Sequence, residues 1–136
     1  MSHWLFKSEP SVWSWQQQVA RGNEGEPWTG VRNHLAKKHM QAMKKGDQGF
    51  FYHSNEGKEI VGIVEVIEEY APDPTDESGK FGMVTLKAVR ALGRPVTLAE
   101  IRTMDKLSKM SLVTCPRLSV QPVSTDEWDA ILALEP

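Results

Sequence analysis

Within six residues, Trp28-Thr-Gly-Val-Arg-Asn33 joins an aromatic plane, a turn, a forked cation and a side-chain amide. Pro27 and Gly30 bracket Trp28 with turn chemistry, which predicts that the indole sits on a loop. Arg32 carries a planar, always-charged donor fork suited to phosphate or a purine edge, and Asn33 can both donate and accept. An aromatic plane beside an amide is how proteins hold an unstacked base. The same residues have a plainer use, with Trp28 a core anchor and Asn33 a turn cap.

Two further clusters sit where strands are expected to open into loops, the usual place for sites. Lys7-Ser-Glu-Pro10 brings together a cation, a hydroxyl and a carboxylate. Phe51-Tyr-His-Ser-Asn55 brings together aromatic rings, an imidazole, a hydroxyl and an amide. Taken singly, Lys7 and Glu9 read as an ion pair and Ser54-Asn55 as a hairpin turn. Three such clusters in one short chain make a stronger case for a site than any one alone.

Other chemistries find little support. His3, His34, His39 and His53 follow no metal-binding spacing, and a single cysteine cannot build a cysteine-rich zinc site, so no metal is expected. Neither GxGxxG nor GxxxxGK[ST] occurs, nor a GxSxG nucleophile elbow. Cys115 stands before Pro116 with no motif around it and reads as a semi-buried apolar residue.

The net charge of −2 argues against a generic nucleic-acid binder, but the distribution is uneven. From Val31 to Lys45 there are Arg32, Lys37, Lys38, Lys44 and Lys45 and no acid. From Glu56 to Gly79 there are eight acids against Lys58 alone. The basic stretch could attract a phosphate backbone locally, or be only the solvated side of a helix. The acidic stretch could be a contact surface for a basic protein, the third and weakest reading. One cysteine, no signal-peptide core and no bilayer-spanning run predict a cytoplasmic chain, or a nuclear one if eukaryotic.

These residues need elements to hold them. A strand is expected over His3 to Ser8, with Trp4, Phe6 and Ser8 on one face and Leu5 and Lys7 on the other. A short helix from Ser11 would bury Val12, Trp15 and Val19, and a loop covers Asn23 to Trp28. Val31 to Lys44 reads as a helix ended by Gly46. Strands over Gln48 to Ser54 and Glu59 to Glu69 form a hairpin through Asn55-Glu-Gly57, and a third covers Gly82 to Ala91. Thr97-Leu-Ala-Glu100 and Ser124-Thr-Asp-Glu127 match the capping box that opens a helix. Arg117 to Val123 reads as a short strand, and Trp128, Ile131 and Leu132 as the buried stripe of the last helix. The irregular order β-α-α-β-β-β-α-β-α gives an α+β fold with a largely antiparallel or mixed sheet. With 136 residues and no linker, residues 1–136 read as one domain.

Lys7-Ser-Glu-Pro10, Trp28-Thr-Gly-Val-Arg-Asn33, Phe51-Tyr-His-Ser-Asn55, Pro72-Asp-Pro74 and Arg117-Leu-Ser-Val-Gln-Pro122, in this order, resemble the EVE domain family of the PUA-like superfamily. The resemblance runs from about Trp4 to Leu134. It implies a PUA-like mixed, mostly antiparallel β-barrel flanked by helices. It also implies a non-enzymatic reader of modified cytosine or adenine in DNA or RNA, without a cofactor and more readily a monomer than an oligomer. By motif, the base pocket would be lined by Trp28, Arg32, Asn33, Tyr52, Ser54, Asn55 and Ser119. Lys7 and Ser8 would lie near its rim, with Lys37 and Lys38 beside Arg32 on the nucleic-acid backbone. Two positions depart from the family's pattern: His34 stands where Tyr is frequent, and Phe81 or Met83 where a Trp is expected. The alternative is a hydrolase acting on acylated nucleosides through Lys7 and Glu9. Alternation puts those two on one face, where pairing would raise the lysine's pKa and weaken it as a base.

Overall fold

The computed structural model describes residues 2–135. Strand β1 (His3–Ser8) leads to helix α1 (Trp15–Ala20), a 3-10 turn (Gly22–Glu24), the two-residue strand β2 (Glu26–Pro27) and helix α2 (His34–Ala42). Strands β3 (Gln48–His53), β4 (Glu59–Pro72) and β5 (Gly82–Thr97) follow. After them come α3 (Leu98–Arg102), a 3-10 turn (Asp105–Leu107), α4 (Ser111–Thr114), β6 (Val120–Val123) and α5 (Thr125–Leu132).

The strands form one sheet in the order β2-β5-β4-β3-β1-β6. Among the described residues only β1 and β3 run parallel; the other pairs are antiparallel. The mixed, mostly antiparallel α+β expectation therefore holds, but the sheet does not close into a barrel. Its two ends are poor partners: β2 spans Glu26–Pro27, β6 spans Val120–Val123, and each contains a proline without an N–H to give. Register shifts along β3–β4 and β4–β5 bend the sheet without joining those edges.

Alternation divides the core between the two faces of the sheet. Trp4 and Phe6 of β1 pack with Phe51, Trp28 and Met40 on one side. Leu5, Phe50 and Tyr52 pack with Trp128 and Ile131 on the other. The facing predicted for Trp4, Leu5 and Phe6 is the one observed. The capping boxes at Thr97 and Ser124 form as read, and α5 buries Trp128 and Ile131.

Helix starts are where the sequence reading moves most. Helix α1 opens at Trp15 rather than Ser11, because the Ser14 hydroxyl accepts from the Gln17 amide at 3.2 Å and the Gln17 side chain accepts from the Ser14 amide at 2.8 Å. Val12 and Val19, expected inside, are 72% and 50% exposed, and the residue α1 buries completely is Gln18. Helix α2 opens at His34 rather than Val31, since the Asn33 carboxamide caps Ala36 N at 2.9 Å. It ends at Ala42, so Lys44 and Lys45 fall in the turn beyond it. Strands β4 and β5 both run longer than their apolar cores suggested. Glu26–Pro27, read as loop, pairs with β5, and β6 starts at Val120 rather than Arg117.

Candidate nucleic-acid interface

A cleft of about 500 Å³ opens where the end of β1, the segment after it, the β2–α2 loop and the residue before β6 converge. That volume lies within the range of small-ligand pockets. The cleft gathers Trp28, Arg32, Ser119, Lys7 and Ser8 from the expected set, together with Glu9.

Trp28 answers to both of its readings. It is only 8% exposed, and its indole meets Phe6 at 5.6 Å and Phe51 at 5.9 Å edge-on, yet it also lines the cleft. Its amide donates to Val84 O at 2.8 Å, which ties the loop to the sheet. Two residues on, Gly30 adopts φ +84, a left-handed conformation that costs a side-chain-bearing residue.

What fixes this loop is Asp73, whose side chain has no solvent exposure. One carboxylate oxygen accepts from Gly30 N at 2.9 Å and from the Arg32 guanidinium at 3.1 Å. The other accepts from Thr75 N at 2.7 Å and Thr75 Oγ1 at 2.6 Å, and Arg32 also donates to Thr75 Oγ1 at 3.0 Å. Burial pushes the Asp73 carboxyl up, but the donors from Thr75, Gly30 and Arg32 outweigh it and hold it below the usual carboxylate value. The Pro72-Asp-Pro74 motif is thus a brace that aims Arg32.

A second indole, Trp13, also lines the cleft and was not among the expected residues. Its Nε1 donates to Gln18 Oε1 at 2.9 Å, and Gln18 Nε2 donates to Leu86 O at 2.9 Å. The Ser8 hydroxyl donates to the Trp13 carbonyl. A fully buried glutamine therefore bridges an aromatic wall to strand β5. The one sequence signal for Trp13 is its place just after the Lys7–Pro10 cluster.

Lys7 makes no ion pair with Glu9. Its Nζ donates to Pro116 O, and Lys7 N donates to Ser119 O at 2.9 Å, which places Ser119 beside it. Burial lowers the Lys7 pKa from its ordinary value, with the neighbouring Cys115 opposing. The pairing expected to raise that pKa is absent.

The remaining candidates lie elsewhere. Asn33 Oδ1 is spent capping α2. Tyr52 faces the second core and is 3% exposed, because β3 sends it to the face opposite Phe51. Burial raises the Tyr52 pKa, with the Arg102 charge opposing. Ser54 and Asn55 make the β3–β4 turn, where Asn55 has φ +66, and Ser54 N donates to Ser8 O at 2.9 Å. Lys37 and Lys38 lie on α2 outside the cleft lining. His53 Nε2 accepts from Trp15 N at 3.1 Å and so pins the start of α1. Burial lowers the His53 pKa, with the Glu59 charge opposing.

Residues 2–134 match the EVE domain. Among curated proteins, the chain is 36% identical to thymocyte nuclear protein 1 of Gallus gallus, covering 98% of this chain and 68% of that one. Among solved structures it resembles protein Atu2648 of Agrobacterium tumefaciens, with TM-score 0.97 and 51% identity over 99% of this chain and 93% of that one. It also resembles human THYN1 protein in complex with DNA containing 5-methylcytosine, with TM-score 0.92 and 35% identity over 99% and 98% of the two chains.

Proposed function

The chain belongs to the EVE domain family, and from that premise we propose that it is a non-enzymatic reader that lodges a modified base of a nucleic acid in its cleft. The observation that carries this reading is the convergence of two indoles, Trp13 and Trp28, with the braced Arg32 guanidinium on one cleft. Stacking on an aromatic side chain contributes on the order of 1–3 kcal/mol per base. That offsets much of the few kcal/mol needed to unstack the base. Arg32 takes the sugar–phosphate side, with Lys37 and Lys38 on the neighbouring helix. Ser8, Ser119 and Lys7 supply the polar contacts in the cleft. The human relative's complex with 5-methylcytosine DNA supports modified cytosine as the class of target.

Substitution of Trp13 tests the reading. Trp13 is half-buried, whereas truncating the buried Trp28 would cost about 3–5 kcal/mol of stability. Trp13→Ala should weaken binding of an oligonucleotide with a single 5-methylcytosine about tenfold or more, while melting stays cooperative. Unchanged affinity in that variant would remove the cleft from the account.

One observation favours a second reading. Lys7 is lowered in pKa by burial, has no carboxylate partner among the described residues and shares the cleft with Glu9. As a general base it could take a proton from water attacking an acyl amide and pass it to the departing amine beside Glu9. Turnover of N-acylated cytidine that disappears in Lys7→Ala would establish this reading; no turnover would dismiss it.

A further inference from the structure

Beside the cleft, three side chains meet at one aromatic ring. The Arg32 guanidinium carbon and the Lys37 ammonium each lie 5.8 Å from the centroid of Phe81. The His34 imidazole lies 5.0 Å from it, at an interplanar angle of 36°. Helix α2 supplies His34 and Lys37, one turn apart on the same face, and the loop before β5 supplies Phe81.

The two acids near this cluster already have their oxygens occupied. Asp73 is matched by Arg32 and filled by its donors. Asp76, the other acid near Phe81, is filled by Ser78 N at 2.9 Å, Ser78 Oγ at 2.6 Å and Phe81 N at 2.7 Å. Lys37 takes part in none of the ion pairs among the described residues. A half-buried lysine held over a ring by cation–π attraction, with no carboxylate, is a cation kept for an external anion. Arg32 belongs both to this cluster and to the cleft lining, so the anion that fits is one covalently close to whatever fills the cleft.

We infer that Arg32, His34 and Lys37, gathered around Phe81, form a subsite for the single phosphodiester adjoining the nucleotide in the cleft, with Phe81 holding the two cations in place. This rests on the base-reading proposal for the identity of the neighbouring nucleotide. It goes further in assigning one phosphate, in giving Phe81 and His34 roles, and in singling out Lys37.

The test combines two neutralisations. Duplexes carrying one 5-methylcytosine are made with an uncharged methylphosphonate at either flanking position, and binding is measured across a salt series. Each phosphate contact on duplex DNA contributes about 0.9 to the slope of log Kobs against log salt. Lys37→Gln and the correct methylphosphonate should each flatten the slope by about 0.9, and together by no more than that. Phe81→Leu should give part of the same loss with Lys37 still present. Lys109→Gln, an exposed change in the segment that follows α3, should combine additively with both methylphosphonates. Additivity of Lys37→Gln with both methylphosphonates overturns the subsite, as does an unchanged slope. If Phe81→Leu melts without cooperativity, the Lys37 cycle decides alone. The two proposals fail separately. Equal binding of modified and unmodified duplexes with the coupling intact removes the base reading but not the phosphate subsite. Selective binding without coupling removes the subsite alone.

Discussion

Replacing Asp73 by asparagine changes little in shape and a great deal in bonding. The carboxylate accepts two donors on each oxygen: Gly30 N and Arg32 on one, Thr75 N and Oγ1 on the other. An amide keeps one acceptor oxygen and turns the other into a donor, so one of these pairs is lost whichever way the new side chain is turned. Hydrogen bonds to a charged group contribute about 1.5–3 kcal/mol each. Arg32 is 40% exposed and recovers water, which discounts its share. A loss of about 2–4 kcal/mol remains, enough to lower Tm by roughly 10 °C in a chain this size. The Asp73 pKa is depressed in the folded state, so its contribution is present above the ordinary carboxylate value and fades as pH falls through its lowered folded value. Urea unfolding of both proteins from pH 7 downward should show a gap that is widest near neutrality and narrows below about pH 4. Oligonucleotide binding should weaken with it, since the loop carrying Trp28 and Arg32 loses its brace. A change under about 1 kcal/mol at pH 7, or a gap that widens in acid, would refute the reasoning.

Other perturbations follow from the same geometry. Gln18→Leu leaves Trp13 Nε1 and Leu86 O without their partner. It should cost about 1–3 kcal/mol per stranded buried group and weaken binding through the misplaced Trp13 wall, read by urea melts and titration. Gly62→Ala drives a Cβ into the Trp15 indole, so that ring must give way, and a red-shifted tryptophan emission should report it. His53 must stay neutral at Nε2 to accept from Trp15 N, and its folded pKa is lowered by burial. Its contribution is therefore present above about pH 6.5 and lost as pH falls through the lowered folded value. A melting series from pH 8 to 5 should show a shallower decline in His53→Gln.

The parts legible in the sequence were those set by near neighbours. Trp4, Leu5 and Phe6 alternate with a period of two, and the sheet splits them between its cores accordingly. Ser124 and Glu127 lie three apart and cap a helix without help from the rest of the chain. Asn33 shows the limit of that logic: the same carboxamide suits a base edge or a helix cap, and proximity to the Ala36 amide favours the cap. The cleft itself is non-local. Lys7, Trp13, Trp28 and Ser119 come from separate segments, and no spacing rule announces that Trp13 rather than Tyr52 will share it with Trp28. The Asp73 brace reaches back 41 residues to Arg32, so its motif was visible and its purpose was not. Barrel closure was implied by resemblance, and the prolines in two very short edge strands leave the sheet open.

Selective capture of a modified base is tested most directly by fluorescence anisotropy with matched labelled oligonucleotides. These carry cytosine, 5-methylcytosine, an oxidised methylcytosine or N6-methyladenine, as duplex DNA and as RNA, at one fixed salt concentration. One added methyl in a fitted pocket is worth about 1–3 kcal/mol, so one modified duplex should bind at least about tenfold tighter than its unmodified partner. That preference should vanish in Trp13→Ala. Affinities equal across the panel, falling together as salt rises, would contradict the account and leave only an electrostatic contact with the backbone.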